Sequence, residues 1–176
     1  MPRLFILCGL PFSGKSTLAR AMAERLGVVH IELDSVHGER GLDLNGEPPT
    51  REDWIEAYRR SFRKLDNVLA DGHSAVFDAT SYRRVHRQRL ARIAGKYEIS
   101  TSLIFLDVNE AEAKRRRDEN RTSNDRPTVD DDGFALVSGE MQLPSDDENA
   151  LIYRPEVPAS DWIERTLRPL MTKEQT

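Results

Sequence analysis

Nine consecutive residues near the start of the chain, Gly9-Leu10-Pro11-Phe12-Ser13-Gly14-Lys15-Ser16-Thr17, combine what a polyphosphate requires of a protein. Gly9 and Gly14 allow backbone conformations and close approaches that a side chain would block. The spacing G-x-x-x-x-G-K-[ST] is that of a phosphate-cradling loop. Its amides and the N-terminus of the helix that follows face the anion. Lys15 would lie between the outer phosphates, and the Ser16 hydroxyl would ligate Mg²⁺. The expected cofactors are therefore ATP and Mg²⁺, held by residues 9 to 17.

A phosphate cradle can serve a switch, a motor or a phosphoryl transferase. A guanine-reading N/T-K-x-D stretch is missing from the sequence, which argues against a switch GTPase. Two apolar runs end in aspartate, "AVFD" at Asp78 and "LIFLD" at Asp107, and neither aspartate is followed by the glutamate of a typical ATPase motor. A kinase needs a base beside the acceptor hydroxyl and arginines that close over the moving phosphoryl group. Asp34 ends the second apolar run, at the sheet edge where ligands bind. It could orient an alcohol and take its proton, or it could cap a short helix starting at Ser35. His37 follows close by, at the same presumed acceptor edge. Arg117, Arg121 and Arg126 surround a polar stretch without apolar periodicity, a candidate lid over about residues 115–133. Arg115 and Arg116 read as a solvated helix face. Arg83 and Arg84 open a helix near the acceptor edge, in a stretch from Arg83 to Lys96 with six lysines and arginines and no acid. That stretch also reads mainly as a solvated face.

These residues need a scaffold that gathers them at one edge. Short apolar runs alternate with helical stretches. "RLFILC" reads as a buried first strand, and Leu18, Met22 and Leu26 recur at helical spacing up to a stop at Gly27. "VVHIEL" is a second strand. Thr50 with Asp53 forms a capping box for a helix that sets Ile55, Tyr58, Phe62, Leu65 and Leu69 on one face. "SAVFDAT" is a third strand, followed by a helix for which Ser81 is a candidate cap. "ISTSLIFLDV" is a fourth, a helix begins near Glu110, and "ALIY" is a short fifth strand before a final helix. Strands separated by helices predict a five-stranded, mostly parallel sheet covered on both faces. The 176 residues suit one domain, and 38% apolar with 32% charged residues is a globular balance. The single cysteine, Cys8, permits no internal disulfide, and no apolar run is long enough to span a membrane. A cytoplasmic protein is expected. The net charge of −4 argues mildly against duplex binding. Oligomeric state leaves no trace in the pattern.

Taken in order, "GLPFSGKSTLA", "ELDSV", "VFDATSYRR" and "RDENR" resemble the small P-loop kinases that include the 5′-hydroxyl kinase domain of phage polynucleotide kinase, chloramphenicol phosphotransferase and zeta toxins. The resemblance covers nearly the whole chain. It implies a P-loop NTPase fold of α/β class over residues 1–176, with a mobile arginine-bearing lid. It also implies Lys15 and Ser16 serving ATP and Mg²⁺, Asp34 as the base, and Asp78 near metal and acceptor. Arg117 and Arg121 match a pair of lid arginines four apart, with Arg121 and Arg126 near the nucleotide. Three departures stand out. Phe12 occupies a position where many relatives have glycine, Ser81 stands where the family has asparagine, and "DSVHGER" lacks the arginine that polynucleotide kinases place shortly after the base, so His37 or Arg40 would substitute. The implied activity is transfer of the γ-phosphoryl group to a small-molecule hydroxyl. The alternatives are a polynucleotide 5′-hydroxyl kinase and an ATP-binding regulatory module with slow hydrolysis.

Overall fold

In the computed structural model, which describes residues 1–39, 41, 49–123 and 129–172, the first apolar run is the centre of a sheet. β1 (Arg3–Cys8) is flanked by β3 (Ala75–Asp78) on one side and β4 (Ser100–Leu106) on the other. β2 (Val29–Glu32) and β5 (Leu151–Tyr153) form the edges, in the order β2-β3-β1-β4-β5. Every pairing is parallel. Parallel strands must be joined by crossovers, and here these are helices: α1 (Lys15–Leu26), α2 (Leu33–Glu39), α3 (Arg51–Ala70), α4 (Arg84–Gly95), α5 (Glu110–Ser123) and α6 (Asp131–Gly139). After β5, α7 (Ala159–Trp162) runs through a π-helical turn (Ile163–Leu167) into α8 (Arg168–Thr172). No helix among the described residues is long and apolar enough to cross a membrane.

The sheet buries side chains on both faces, which is why β1 reads as a continuous apolar run. Leu4, Ile6 and Cys8 face one core with Ile31, Leu65, Leu69, Phe77 and Leu90. Phe5 and Leu7 face the other with Leu18, Met22, Ile104, Trp162 and Ile163. α3 starts at the expected capping box: Thr50 Oγ1 accepts from the Asp53 amide at 3.2 Å, and Asp53 accepts from the Thr50 amide at 3.0 Å. Its buried stripe is Ala57, Ser61, Leu65 and Leu69. Ile55, expected on that face, is 58% exposed. It lies two residues from Ala57, about 200° around the helix. Ser81 does not cap α4 either, because the helix begins at Arg84 with Arg83 before it. Ser81 instead takes a left-handed backbone, φ 41°, and is buried. Asparagine is the non-glycine residue that best tolerates this conformation, which gives a physical reason for an asparagine at this place in the related sequences.

Candidate active site

The glycine-bearing loop joins β1 to α1 at the carboxyl edge of the sheet. At Gly9 the chain passes so close to the end of β4 that a Cβ would stand 2.9 Å from Ser13 Oγ and 3.2 Å from the Leu106 carbonyl oxygen. The Gly9 amide donates to Thr80 O at 3.1 Å, which ties the loop to the segment leaving β3. Gly14, at φ 97°, makes the left-handed turn into α1. Lys15 is buried, and its ammonium donates to the carbonyls of Leu10 at 2.6 Å and Gly9 at 3.2 Å. The ammonium is thus held against the loop that surrounds it.

Phe12 adopts φ 62°, the left-handed region, in the middle of this loop. A non-glycine residue there costs about 1–2 kcal/mol. The loop backbone is therefore built for glycine even though this chain carries a phenylalanine. In urea melts Phe12→Gly should be at least as stable as Phe12→Ala, the reverse of the usual order in loops. An alanine variant that outlasts the glycine variant would show that the loop does not hold this conformation.

Register brings the acids together. Glu32 at the end of β2 pairs with Asp78 at the end of β3. His30 Nε2 lies 3.0 Å from Asp78 Oδ2, and the ligating atoms of His30, Glu32 and Asp78 all fall within 4.8 Å of one another. Asp78 is buried and Asp107 is not, and Asp107 pairs with Arg154 at 2.9 Å. Asp34 lies inside the first turn of α2, whose first residue is Leu33, so it is not the cap of a helix beginning at Ser35. It accepts no hydrogen bond from any described side chain or backbone group. The residue is exposed at the carboxyl edge of the sheet. Desolvation by the surrounding walls, then the charges of Asp78 and Glu32, push its pKa up to about 6. Lys15 pulls the other way, so the cradle lysine and the candidate base feel each other's charge.

The arginines are distributed differently from the sequence expectation. Arg117 is buried, bonds Asp131 of α6 at 2.8 Å, and lies over the Phe134 ring at 4.9 Å. Arg121 reaches the same Asp131 at 3.1 Å. Both therefore tie α5 to α6. Among the described residues, Arg116, read from the sequence as part of a solvated helix face, approaches the phosphate loop. One terminal guanidinium nitrogen lies 4.0 Å from where a Cβ on Gly14 would stand, and Nε is steadied by Glu112 at 2.7 Å. Arg126 lies outside the described residues, as does the side chain of His37 on α2. Arg83 pairs with Glu140, and Arg84 with Asp147 and with Ser145 Oγ at 2.8 Å.

The family model described as an AAA domain, AAA_33, matches residues 4–144, most of the chain, from β1 through α6. This chain belongs to the AAA_33 family. An uncharacterised protein of Mycobacterium tuberculosis is 35% identical over 88 residues, 44% of this chain and 18% of that protein, so the chain spans about a fifth of the length of this relative. A shikimate kinase of Thermobifida fusca is 31% identical over 113 residues, 64% of this chain and 62% of that one. The crystal structure of a sugar kinase from a Janibacter species superposes with a TM-score of 0.70 at 22% identity, covering 97% of this chain and 95% of that one. The fold of this AAA_33 member is the P-loop NTPase fold.

Within this fold a feature that the sequence did not announce borders Asp34. The rings of Tyr58 on α3, Tyr82 before α4 and His86 on α4 form one wall, with Tyr82–His86 at 5.2 Å and Tyr58–His86 at 6.1 Å between centroids. Burial, then the neighbouring Tyr82 and Asp34, push the Tyr58 phenol upward, so the phenol feels the charge of the carboxylate. The sequence signal was Tyr58 on the apolar face of its helix.

Proposed function

We propose that this chain is a kinase that transfers the γ-phosphoryl group of Mg·ATP to a hydroxyl of a small-molecule acceptor. The observation that carries the reading is Asp34: a carboxyl raised toward neutrality, accepting no hydrogen bond from a described group, and coupled to the lysine of the phosphate loop. A carboxylate that caps a helix or closes a salt bridge is held below its ordinary pKa, whereas a general base is tuned toward the working pH. Ser16 in the first turn of α1 and the buried carboxylate of Asp78 are hard oxygen donors of the kind Mg²⁺ selects, and His30 fixes the orientation of Asp78. When bound, the ion would neutralise charge on the outer phosphates. Lys15 would neutralise the remainder, and Arg116 is placed to reach the transferring group from above Gly14.

The test uses γ-labelled ATP, Mg²⁺ and a library of hydroxyl compounds, with label on the acceptor as the readout. Arg116→Ala should lower kcat at least about tenfold, given what a phosphate-facing arginine contributes. It should leave the urea midpoint nearly unchanged, because its pairing with Glu112 is a half-buried i,i+4 pair on the helix surface and Glu112 keeps Arg115. Phosphate released only to water by the wild-type protein would overturn the kinase reading.

A further inference from the structure

The register that sets Glu32 opposite Asp78 leaves two carboxylates side by side at the ends of β2 and β3. His30 lies two residues before Glu32, so both point to the same face of β2. Its Nε2 is 3.0 Å from Asp78 Oδ2, and one imidazole nitrogen and two carboxylate oxygens fall within 4.8 Å of one another. The Asp78 side chain is 3% exposed, and the His30 side chain 18%. A carboxylate that deep is ordinarily met by a cation or by several donors. Among the described residues, His30 is the sole hydrogen-bonding partner of Asp78, and the Glu32 carboxylate has none. Asp34 feels the charges of both. Lys15, whose charge opposes theirs, donates its ammonium to the carbonyls of Leu10 and Gly9. The paired carboxylates are thus left without a bonded lysine or arginine among the described residues.

We propose that His30, Glu32 and Asp78 bind a divalent metal ion of the Zn²⁺ class in the nucleotide-free chain. Such ions accept one imidazole nitrogen with two carboxylate oxygens. Mg²⁺, an all-oxygen ion reluctant to give up its water, does not favour that set. The spacing fits. Metal–nitrogen and metal–oxygen bonds of about 2.0–2.2 Å put adjacent donors of one ion about 3–3.5 Å apart, and the His30–Asp78 separation lies in that range. Glu32 has a long side chain with no described group holding its carboxylate, so rotation closes the remaining gap. Water completes the coordination. An ion bound there joins the end of the edge strand β2 to β3 and turns a repulsion between two carboxylates into an attraction. The site does not depend on the kinase reading, because it needs no nucleotide. It shares Asp78 with the Mg²⁺ donors named above, so the two ions compete for that carboxylate.

The full chain, stripped with EDTA, dialysed and free of nucleotide, is titrated with ZnCl₂ by calorimetry and melted with and without the ion. The wild type should bind one Zn²⁺ and gain in Tm, whereas about tenfold more Mg²⁺ should move the melt little. His30→Gln and Glu32→Gln should each weaken Zn²⁺ binding at least about tenfold and lose the gain in Tm. Glutamine at position 30 keeps a donor for Asp78, so that variant should retain the native far-UV spectrum. His73→Gln removes an exposed histidine at the opposite end of β3 and should bind Zn²⁺ as the wild type does. A wild type without saturable Zn²⁺ binding overturns the site, and so does unchanged affinity in both His30→Gln and Glu32→Gln. Either failure leaves the kinase reading standing, since that is read from label on an acceptor.

Discussion

Asp34→Asn is expected to lower phosphoryl transfer by about 10²–10⁴-fold, the usual contribution of a positioned proton acceptor. It should leave ATP affinity almost untouched, because the cradle of residues 9–17 is intact. The pH profile gives a second reading of the same residue. The base works only when ionised. Wild-type kcat/KM should therefore climb with pH, reach half its maximum near the value of about 6 set by desolvation, Asp78 and Glu32, and level off above pH 7. Asp78→Asn removes one of the charges that raise it, so the midpoint should move down. A profile flat from pH 5 to 8 would remove Asp34 from the chemistry.

The stability effect of the same substitution has the opposite sign. A carboxyl raised from 3.8 to about 6 keeps a proton in the folded state that the unfolded chain has already released across that interval. The wild type therefore loses stability as pH rises from about 4 to 6, and that loss persists above pH 6. Asparagine carries no such penalty. Asp34→Asn should melt above the wild type at pH 7–8 and lose this advantage below pH 4. A helix cap gives the reverse, since its loss destabilises. Reduced activity together with a higher Tm at neutral pH is thus a signature that a structural aspartate would not produce.

Much of the frame was legible in the sequence because its causes are local. "RLFILC" is bounded by its own burial pattern, and Thr50 and Asp53 satisfy each other within four residues. The loop was legible because glycine and lysine at that spacing have few other uses, whereas Asp34, read as ending a strand, lies in the first turn of α2. The choice among Arg115, Arg116 and Arg117 was not legible. Neighbouring helix positions differ by about 100°, so a run of three arginines points three ways, and only the docking of α5 decides which faces Gly14. The ion pairs of α4 were hidden for a similar reason, although Arg83, Arg84 and Lys96 stay largely exposed. Its acids, Glu140, Asp147 and Glu148, stand 57 to 63 residues further along, where no helical periodicity can report them.

Arg87 is the extreme case of those hidden pairs, and replacing it should have the largest effect on the fold. Its side chain is 3% exposed. The guanidinium donates to both Glu148 oxygens at 2.7 Å and to the carbonyls of Ser81 at 3.0 Å and Gln142 at 3.0 Å. It also reaches the Cys8 sulfur at 3.8 Å, where burial pushes the thiol up to about 11. One side chain thus joins the end of β1, the left-handed turn at Ser81 and the segment leading to β5. Arg87→Met takes the guanidinium from the Glu148 carboxylate, which keeps only donors of Ser145, and from the carbonyls of Ser81, Tyr82 and Gln142, and breaking a buried pair from one side costs about 3–5 kcal/mol. That is a large share of the 5–15 kcal/mol typical of a domain. Adding Glu148→Leu removes the orphaned charge, so the double variant should recover much of the loss in urea unfolding. Arg87→Lys should fall between, since an ammonium cannot span both oxygens and the carbonyls at once. Because Arg87 holds the Glu148 carboxyl below the ordinary range, the pair's contribution should persist at neutral pH and fade only as pH drops through and below about 4. A single variant costing under about 1 kcal/mol, or a double variant weaker than Arg87→Met, would show that this clamp does not hold the acceptor edge to the sheet.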